Sequence, residues 1–360
     1  MTPFASAYLH LHGAEKVVAG RVACLVLLHN ERNILPDFLR FYRDFGDIDF
    51  LIVDDRSDDG TAEYLSAQPD VTVFRPNNGS TYAKHKRDWR GEILDHYAHG
   101  NWVIVPDADE RLIWQRFETR SFQRLRADLE AEGADALYCS MLDMYRDGPL
   151  SDQVYRGSDP LEVAFPLYDD PLKDPLSYRF LAAPSRFLRR WPTPTMIMYG
   201  GMRDRMFFGA YGRQYPWSRP LLSALPTIRD VQPAGRARVF EAILRLILKR
   251  RDTAMPAINL TKIPLLRWRA GMRFYGGAHA VSEHLRLARE TGVLLHFPIT
   301  RGDSGVRYTA ERGQHTEGAA HYRAIVERNE LNVRTLRYSG SSKYRTSDDL
   351  AVFIRDGGIR

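Results

Sequence analysis

The first 145 residues alternate between short apolar runs and stretches in which apolar residues recur at helical spacing. The apolar runs at 21–28, 49–53, 71–74 and 102–105 are typical of strands that are buried on both faces. Apolar residues follow a helical period at 34–45 and again at 82–97. This repeated alternation of strand and helix predicts an α/β fold built on a doubly wound sheet.

Polar residues follow each of the four predicted strands. In order along the chain, they are His29-Asn30-Glu31, Asp54-Asp55, Asn77-Asn78 and Asp107-Ala108-Asp109. The carboxyl ends of parallel strands meet at one edge of a sheet, and ligands bind outside that edge. The pattern therefore predicts a ligand cleft lined by these side chains.

The segment Asp107-Ala108-Asp109 carries the clearest chemistry. Pro106 has no N–H to donate and ends the strand before it. In the turn that follows, Asp107 and Asp109 can converge on one hard cation, or on a cation and a sugar hydroxyl. Acidic residues are also common in solvated turns. The polar ends of the other three strands favour the functional interpretation.

Several classes of protein are disfavoured by what the sequence lacks. No Gly-x-Gly-x-x-Gly follows the first strand and no Gly-Lys-Ser/Thr loop occurs, so neither a Rossmann dinucleotide site nor a P-loop is indicated. Cys24 and Cys139 both lie in apolar runs and are expected in the core, so any metal must be bound by oxygen or imidazole.

The charge balance favours anionic partners. The 51 basic and 45 acidic residues give a net charge of +6, but the excess is diffuse and no nucleic-acid recognition motif accompanies it, so nucleic acid is not expected. No window approaches the ~20 apolar residues that a membrane span needs. A cytoplasmic location is the resulting prediction.

Residues 21 to about 112 resemble the nucleotide-sugar-binding half of family 2 glycosyltransferases, which have the GT-A fold. The resemblance is carried by His29-Asn30-Glu31, by Asp54-Asp55-x-Ser57-x-Asp59-Gly60-Thr61 and by Asp107-Ala108-Asp109. Three later segments are similar to a bacterial branch related to family 92, namely Gly200-Gly201-Met202-Arg203, Lys262-Ile263-Pro264-Leu265 and Leu294-Leu295-His296-Phe297.

The resemblance implies roles for individual residues. Asp54 or Asp55 would bind the base of a nucleoside diphosphate, most simply uracil, in a donor site that also includes His29, Asn30, Glu31 and Asn78. Asp107 would face the ribose or donor sugar and take part in catalysis. Asp109 and His296 would ligate Mn²⁺ or Mg²⁺, although a lone histidine in an apolar strand can instead be satisfied by a backbone carbonyl.

Glycosyl transfer also needs cations for the departing diphosphate and, if the reaction inverts, a carboxylate base. Lys84, Lys86 and Arg87 lie on the helix after Asn78 and are the candidate cations, with a solvated helix face as the alternative. Asp204 is the candidate base, with Glu283 and Glu317 as rivals.

The predicted organisation has four parts: an N-terminal arm (1–20), the nucleotide-sugar-binding half (21–145), an irregular acceptor-side half (146–300) with a basic helix at 236–251, and a helical, basic C-terminal extension (301–360). The expected activity is that of a hexosyltransferase using a UDP-sugar and a glycan or lipid-linked acceptor, with peripheral contact at the inner face of the membrane. Two alternatives stay open. One is a sugar nucleotidyltransferase, which usually carries a Gly-rich basic loop where this chain has His29-Asn30-Glu31; the other is a noncatalytic membrane-surface scaffold.

Overall fold

The computed structural model describes residues 3–208, 258–313, 319–328 and 335–354. Its strands are β1 (Leu9–His12), β2 (Val22–Leu28), β3 (Ile48–Asp54), β4 (Val71–Pro76), β5 (Trp102–Ile104), β6 (Glu110–Ile113), β7 (Ala136–Asp143), β8 (Leu167–Asp169), β9 (Tyr178–Ala182), β10 (Met196–Gly200), β11 (Thr261–Arg267), β12 (Phe274–Tyr275), β13 (Ala280–Val281), β14 (Gly292–His296) and β15 (Ser341–Lys343). The described α-helices are α1 (Leu35–Arg43), α2 (Thr61–Ser66), α3 (Tyr82–Tyr97), α4 (Phe122–Ala131), α5 (Leu161–Ala164), α6 (Ser185–Leu188), α7 (Gly201–Phe208), α8 (Gly302–Arg312) and α9 (Ala320–Arg328).

Nine strands form one mixed sheet in the order β1-β4-β3-β2-β5-β11-β7-β14-β6. Strands β4, β3, β2 and β5 are parallel neighbours, and β7 is parallel to β14. The strands β1, β11 and β6 pair antiparallel with their neighbours. This is the doubly wound mixed sheet expected of a GT-A fold, and the predicted fold class is confirmed.

The strand order reverses between β2 and β5. From β2 the chain proceeds outward to β3 and β4, and it then returns to place β5 on the other side of β2. Ligands of open α/β sheets bind at such a switch point, outside the carboxyl ends of the strands. The turn that contains Asp107 and Asp109 follows β5 directly, and His29 follows β2.

The core follows from the apolar pattern. Every residue of β2 and β3 is buried, as expected for central parallel strands, and α1 covers one face with Leu35, Phe38, Leu39 and Tyr42. Cys24 and Cys139 are buried free thiols within this core. Arg111 and Asp37 form a buried ion pair with a 2.9 Å contact beneath α1.

Segments from both sides of residue 145 contribute to the large sheet. Strands β11 and β14 come from the predicted acceptor-side half yet pair with β5, β6 and β7. Part of the predicted N-terminal arm forms β1 at the sheet edge. The predicted basic helix at 236–251 and Glu317 lie outside the described residues. Within the described ranges, no helix has the length and apolar character needed to span a membrane.

Candidate active site

The turns after β2 and β3 are held together by side chains of the predicted donor site. Asn30 has a left-handed backbone (φ 56°), and its amide donates to Asp58 Oδ1 at 2.7 Å. The Asp58 backbone N–H donates back to Asn30 Oδ1 at 2.8 Å. His29 Nδ1 donates to the backbone carbonyl of Asp55 at 2.7 Å. The turns after β2 and β3 are therefore joined by hydrogen bonds into one rim of the site.

Asp54 and Asp55 have different environments. Asp54 is fully buried; its Oδ1 accepts from the Ser57 backbone N–H at 3.0 Å and its Oδ2 lies 3.3 Å from Arg75. Asp55 lies closer to the surface and contacts Arg56 and Arg312. Burial raises the pKa of Asp55 above its ordinary value despite these guanidinium groups. Asp55 is the better placed of the two for a ligand.

Asp107 is clamped by two buried cations. Lys262 Nζ lies 2.5 Å from Asp107 Oδ2, and Arg90 Nη2 lies 3.6 Å from Asp107 Oδ1. The Asp107 side chain remains 37 % exposed. Burial raises the pKa of Asp107, but Lys262 and Arg90 hold it well below its usual range, so this carboxylate is ionised.

Lys262 also neutralises Glu110. Its Nζ lies 2.5 Å from Glu110 Oε1, while Glu110 Oε2 accepts from the Asp107 backbone N–H at 2.9 Å. The pairing of β11 with β7 shifts register between Lys262 and Leu265, where Pro264 cannot donate to the ladder. Such bulges redirect side chains, and here the lysine of a central strand reaches the turn after β5.

His296 is flanked by acidic residues because of strand register. It is the register partner of Glu110 on β6 and of Asp143 on β7. Its Nδ1 lies 2.8 Å from Asp143 Oδ1, and its Nε2 lies 3.2 Å from Asp109 Oδ2. Burial and the Arg203 charge lower the pKa of His296, but the two contacting carboxylates raise it to about 9 overall.

Arg203 contacts Asp143 and so supports His296 indirectly. Its Nε donates to Asp143 Oδ1 at 2.9 Å and its backbone N–H donates to Asp143 Oδ2 at 3.1 Å. The preceding Gly200 and Gly201 have φ values of 124° and 77°, which favour glycine. A Cβ on Gly200 would lie 2.0 Å from the Ser177 carbonyl oxygen. The Gly-Gly-Met-Arg segment thus makes the turn that brings Arg203 to Asp143.

One group of side chains suits a divalent cation. Asp109, Glu110 and His296 each offer a ligand atom, and these atoms lie within 4.8 Å of one another. Carboxylate and imidazole are ligands that Mn²⁺ accepts, and the 3.2 Å between Asp109 and His296 suits two ligands of one ion. Asp109 and His296 therefore fit the metal that the resemblance implies. Glu110 can bind the same ion through Oε1 only if the contact between this atom and Lys262 Nζ is broken.

The predicted cations of α3 lie in different surroundings. Lys84 is exposed, and the Arg87 guanidinium packs over the rings of Trp191 and Tyr275 at 5.3 and 5.6 Å. Arg90, one turn further along, is the α3 side chain that contacts Asp107. Asn78 is exposed in the turn after β4.

The candidate bases are less favourably placed than the donor-site residues. Asp204 lies on α7 and is only 1 % exposed, which does not suit a base that must reach an acceptor hydroxyl. Glu283 is paired with Arg269 at 3.2 Å. Glu31, predicted for the donor site, is partly exposed and lies 3.3 Å from Arg301. Desolvation by its surroundings raises the pKa of Glu31, Arg301 opposes this rise and Asp109 adds to it.

Sequence reasoning assigned no role to several residues of the site. They include Arg90, Glu110, Asp143, Arg203 and Lys262. The available signals were a lysine and a proline inside an apolar run, and an arginine after two glycines. Neither signal identifies a partner, because each contact joins segments far apart in the sequence.

Fold and site together define a doubly wound α/β protein with carboxylates and matching cations at the switch point of its sheet. No protein-family model and no curated protein matches the chain. Among solved structures, a 4-diphosphocytidyl-2C-methyl-D-erythritol synthase is similar at 18 % identity over 36 % of this chain and 64 % of that one (TM-score 0.25). S. aureus TarS is similar at 13 % identity over 85 % of this chain and 42 % of that one (TM-score 0.29). The chain thus spans less than two-thirds of the length of either structure.

Proposed function

We propose that this chain is a metal-dependent glycosyltransferase that uses a nucleoside-diphosphate sugar, with UDP as the nucleotide. The observation that carries the proposal is the cluster at the switch point between β2 and β5. There Asp107 and Asp109 are partly exposed, while Lys262, Arg90 and His296, which contact them, are buried. A site of fixed carboxylates and cations suits a reaction in which a diphosphate departs with its charge.

Asp109 and His296 would hold Mn²⁺ or Mg²⁺. When bound, the ion would supply positive charge to the diphosphate leaving group. Asp109 is 27 % exposed, so its carboxylate is accessible from solvent. Arg203 and Asp143 fix the orientation of the His296 ring, as partners of metal-binding histidines commonly do.

Asp107 has a separate role in this proposal. Lys262 and Arg90 keep it ionised and fix its orientation, so it can accept hydrogen bonds from hydroxyls of the ribose or donor sugar. The same two cations are preorganised beside the position where negative charge would develop. Gly277 keeps this position open, since a Cβ there would lie 3.0 Å from Asp107 Oδ2.

The acceptor part of the proposal rests on the sequence. It comprises a glycan or lipid-linked acceptor, inversion at the transferred sugar, a cytoplasmic location and peripheral membrane contact through residues 236–251. Liposome co-sedimentation of the whole chain tests the membrane contact.

Isothermal titration of UDP with and without Mn²⁺ tests the central claim. The wild-type protein should bind UDP tightly only with Mn²⁺. A thermal melt should show the same dependence, because a ligand at 100 times its Kd adds about 2.7 kcal/mol to the free energy of unfolding. In the Asp109→Asn protein, the increase in UDP affinity caused by Mn²⁺ should be lost. Asp147→Asn is the matched control, because Asp147 forms an exposed pair with Arg337. Undiminished Mn²⁺-dependent binding in Asp109→Asn would refute the metal assignment.

A second assay separates the proposal from a sugar nucleotidyltransferase. The protein would be incubated with UTP and a sugar 1-phosphate, or with a UDP-sugar. Release of UDP from the UDP-sugar agrees with the proposal. Release of pyrophosphate from UTP, dependent on the sugar phosphate, would replace it with the alternative.

A further inference from the structure

Helix α8 places a polar face against the rim formed after β2 and β3. Arg301 directly precedes α8, and Tyr308 and Arg312 follow it by seven and eleven positions, so all three lie on one side of the helix. Arg301 lies 3.3 Å from Glu31, and Tyr308 accepts from the Asn30 amide at 3.2 Å. The residues of α8 that are buried on its other side are Gly302, Val306 and Ala310. The helix is therefore fixed over the predicted donor site.

Arg312 completes a three-part array around Asp55. Arg312 Nη2 lies 3.0 Å from Asp55 Oδ2, and Arg56 Nη1 lies 3.0 Å from Asp55 Oδ1. A carboxylate accepts about four hydrogen bonds and a guanidinium donates about five. All three groups thus retain capacity for a ligand. The array offers a hydrogen-bond acceptor flanked on both sides by donors.

This pattern complements one type of nucleobase edge. Uracil presents a carbonyl oxygen, an N–H and a second carbonyl oxygen in a row. Cytosine presents an amino group and an unprotonated ring nitrogen at the first two of these positions, so it mismatches the array at both. Hydrogen-bonding sites discriminate strongly against ligands that leave buried polar groups unpaired.

Aromatic rings stand beside the array. The rings of His29 and Tyr308 are nearly parallel, at 9°, with centroids 6.2 Å apart. His29 is tied to the Asp55 backbone and Tyr308 to Asn30. Flat side chains of this kind stack on bases without regard to base identity. A planar ligand at Asp55 therefore contacts both hydrogen-bonding groups along its edge and an aromatic surface on its face.

We propose that Arg312 and Tyr308 of α8 form, together with Asp55, the pocket that selects the base of the donor, and that this base carries a uracil-type edge. The inference rests on the proposed function, because it assumes a nucleotide donor. The Asp55 side chain is only 7 % exposed, so a base that reaches it must also contact α8. Arg312 is then a specificity-determining residue supplied by the C-terminal region.

The test measures the Kd of UDP and of CDP, each with Mn²⁺, by isothermal titration. Arg312→Met should weaken UDP binding about tenfold or more and CDP binding much less, because a good edge contact contributes about tenfold discrimination. Tyr308→Ala should weaken both nucleotides by a similar factor. Arg307→Met is the matched control, since Arg307 is on α8 but 46 % exposed, with a 3.9 Å contact to Asp303.

Arg312→Lys provides a second variant that keeps the positive charge beside Asp55 and removes only the planar fork. It should show the same fall in the ratio of UDP to CDP affinity. An unchanged ratio in a folded Arg312→Met or Arg312→Lys protein, or tighter UDP binding, would overturn the inference and leave the proposed function standing. A wild-type protein that binds no nucleotide would overturn both.

Discussion

Replacing Lys262 by methionine removes the cation shared by Asp107 and Glu110 while nearly preserving side-chain volume. Lys262 is 1 % exposed and Glu110 is fully buried, and the two charges lie 2.5 Å apart. Removing one partner of a buried pair leaves an uncompensated charge and costs about 3–5 kcal/mol. Asp107 contributes less to this cost, because it is partly exposed and keeps Arg90. Lys262→Met should therefore lower the free energy of unfolding by about 3–5 kcal/mol near neutral pH.

Urea denaturation followed by tryptophan fluorescence measures this loss, and a double-mutant cycle with Glu110→Gln assigns it. Glutamine keeps an acceptor for the Asp107 backbone N–H but removes the charge. The double variant should be more stable than the sum of the single losses predicts, with a coupling of at least about 1 kcal/mol. Lys343→Met, at an exposed position of β15, is the control and should stay within about 0.5 kcal/mol of wild type.

The pH dependence gives an independent check. Burial already raises the pKa of Glu110 above its ordinary 4.5, and loss of Lys262 raises it further. A raised carboxyl pKa means that stability is lost as pH rises above the unfolded value of 4.5. The deficit of Lys262→Met should therefore be smaller at pH 5 than at pH 7. A cost below about 1 kcal/mol at pH 7, with no coupling to Glu110, would refute the assignment of a buried pair.

Three further predictions concern the same cluster. Gly277→Ala places a methyl group 3.0 Å from Asp107 Oδ2, so transfer activity should fall by about 100-fold while the melting temperature changes little; unchanged activity would contradict the open position described above. Arg203→Met should weaken Mn²⁺ binding about 10–100-fold, measured by titration calorimetry, because the support of the His296 ring is lost; unaltered affinity would show that Arg203 does not orient the ligand. In metal-free protein, His296 has a pKa of about 9 against an ordinary 6.5, so its contribution to stability is complete below pH 6.5 and is lost as pH rises through 9. Urea denaturation of wild type and His296→Gln across that range should show the difference between them shrinking, and a constant difference would contradict the raised pKa.

The parallel half of the sheet could be predicted because its signals are local. The continuous apolar runs of β2 and β3 leave no ambiguity between strand and loop, and polar residues follow each run. Strand β5 ends at Ile104, one residue short of the predicted run 102–105, although the Val105 N–H still donates to the Pro264 carbonyl. Because β2, β3, β4 and β5 are parallel neighbours, the polar residues that follow them lie at one edge of the sheet, as predicted.

The remaining half of the site could not be predicted because its contacts are not local. Strand β11 contains Pro264, which ordinarily argues against a central strand, and the bulge that accommodates it becomes visible only with its neighbours in place. The Arg203–Asp143 contact spans 60 residues and the Arg312–Asp55 contact spans 257. Helix α8 has few apolar residues to indicate its packing face, so its position over the donor site follows only from the assembled fold.

Charge compensation determines how the site can be dissected experimentally. Glu110 and Asp143 are fully buried and depend on cations from distant segments, so substitutions there change folding stability and activity together. Asp109 and Asp107 are partly exposed, and the buried Lys262 and His296 behind them each keep a second carboxylate, Glu110 or Asp143, when one of the two is replaced. Loss of activity without loss of stability therefore assigns a chemical role only at these two positions. For the buried positions, a role in catalysis requires comparison of variants matched in the free energy of unfolding.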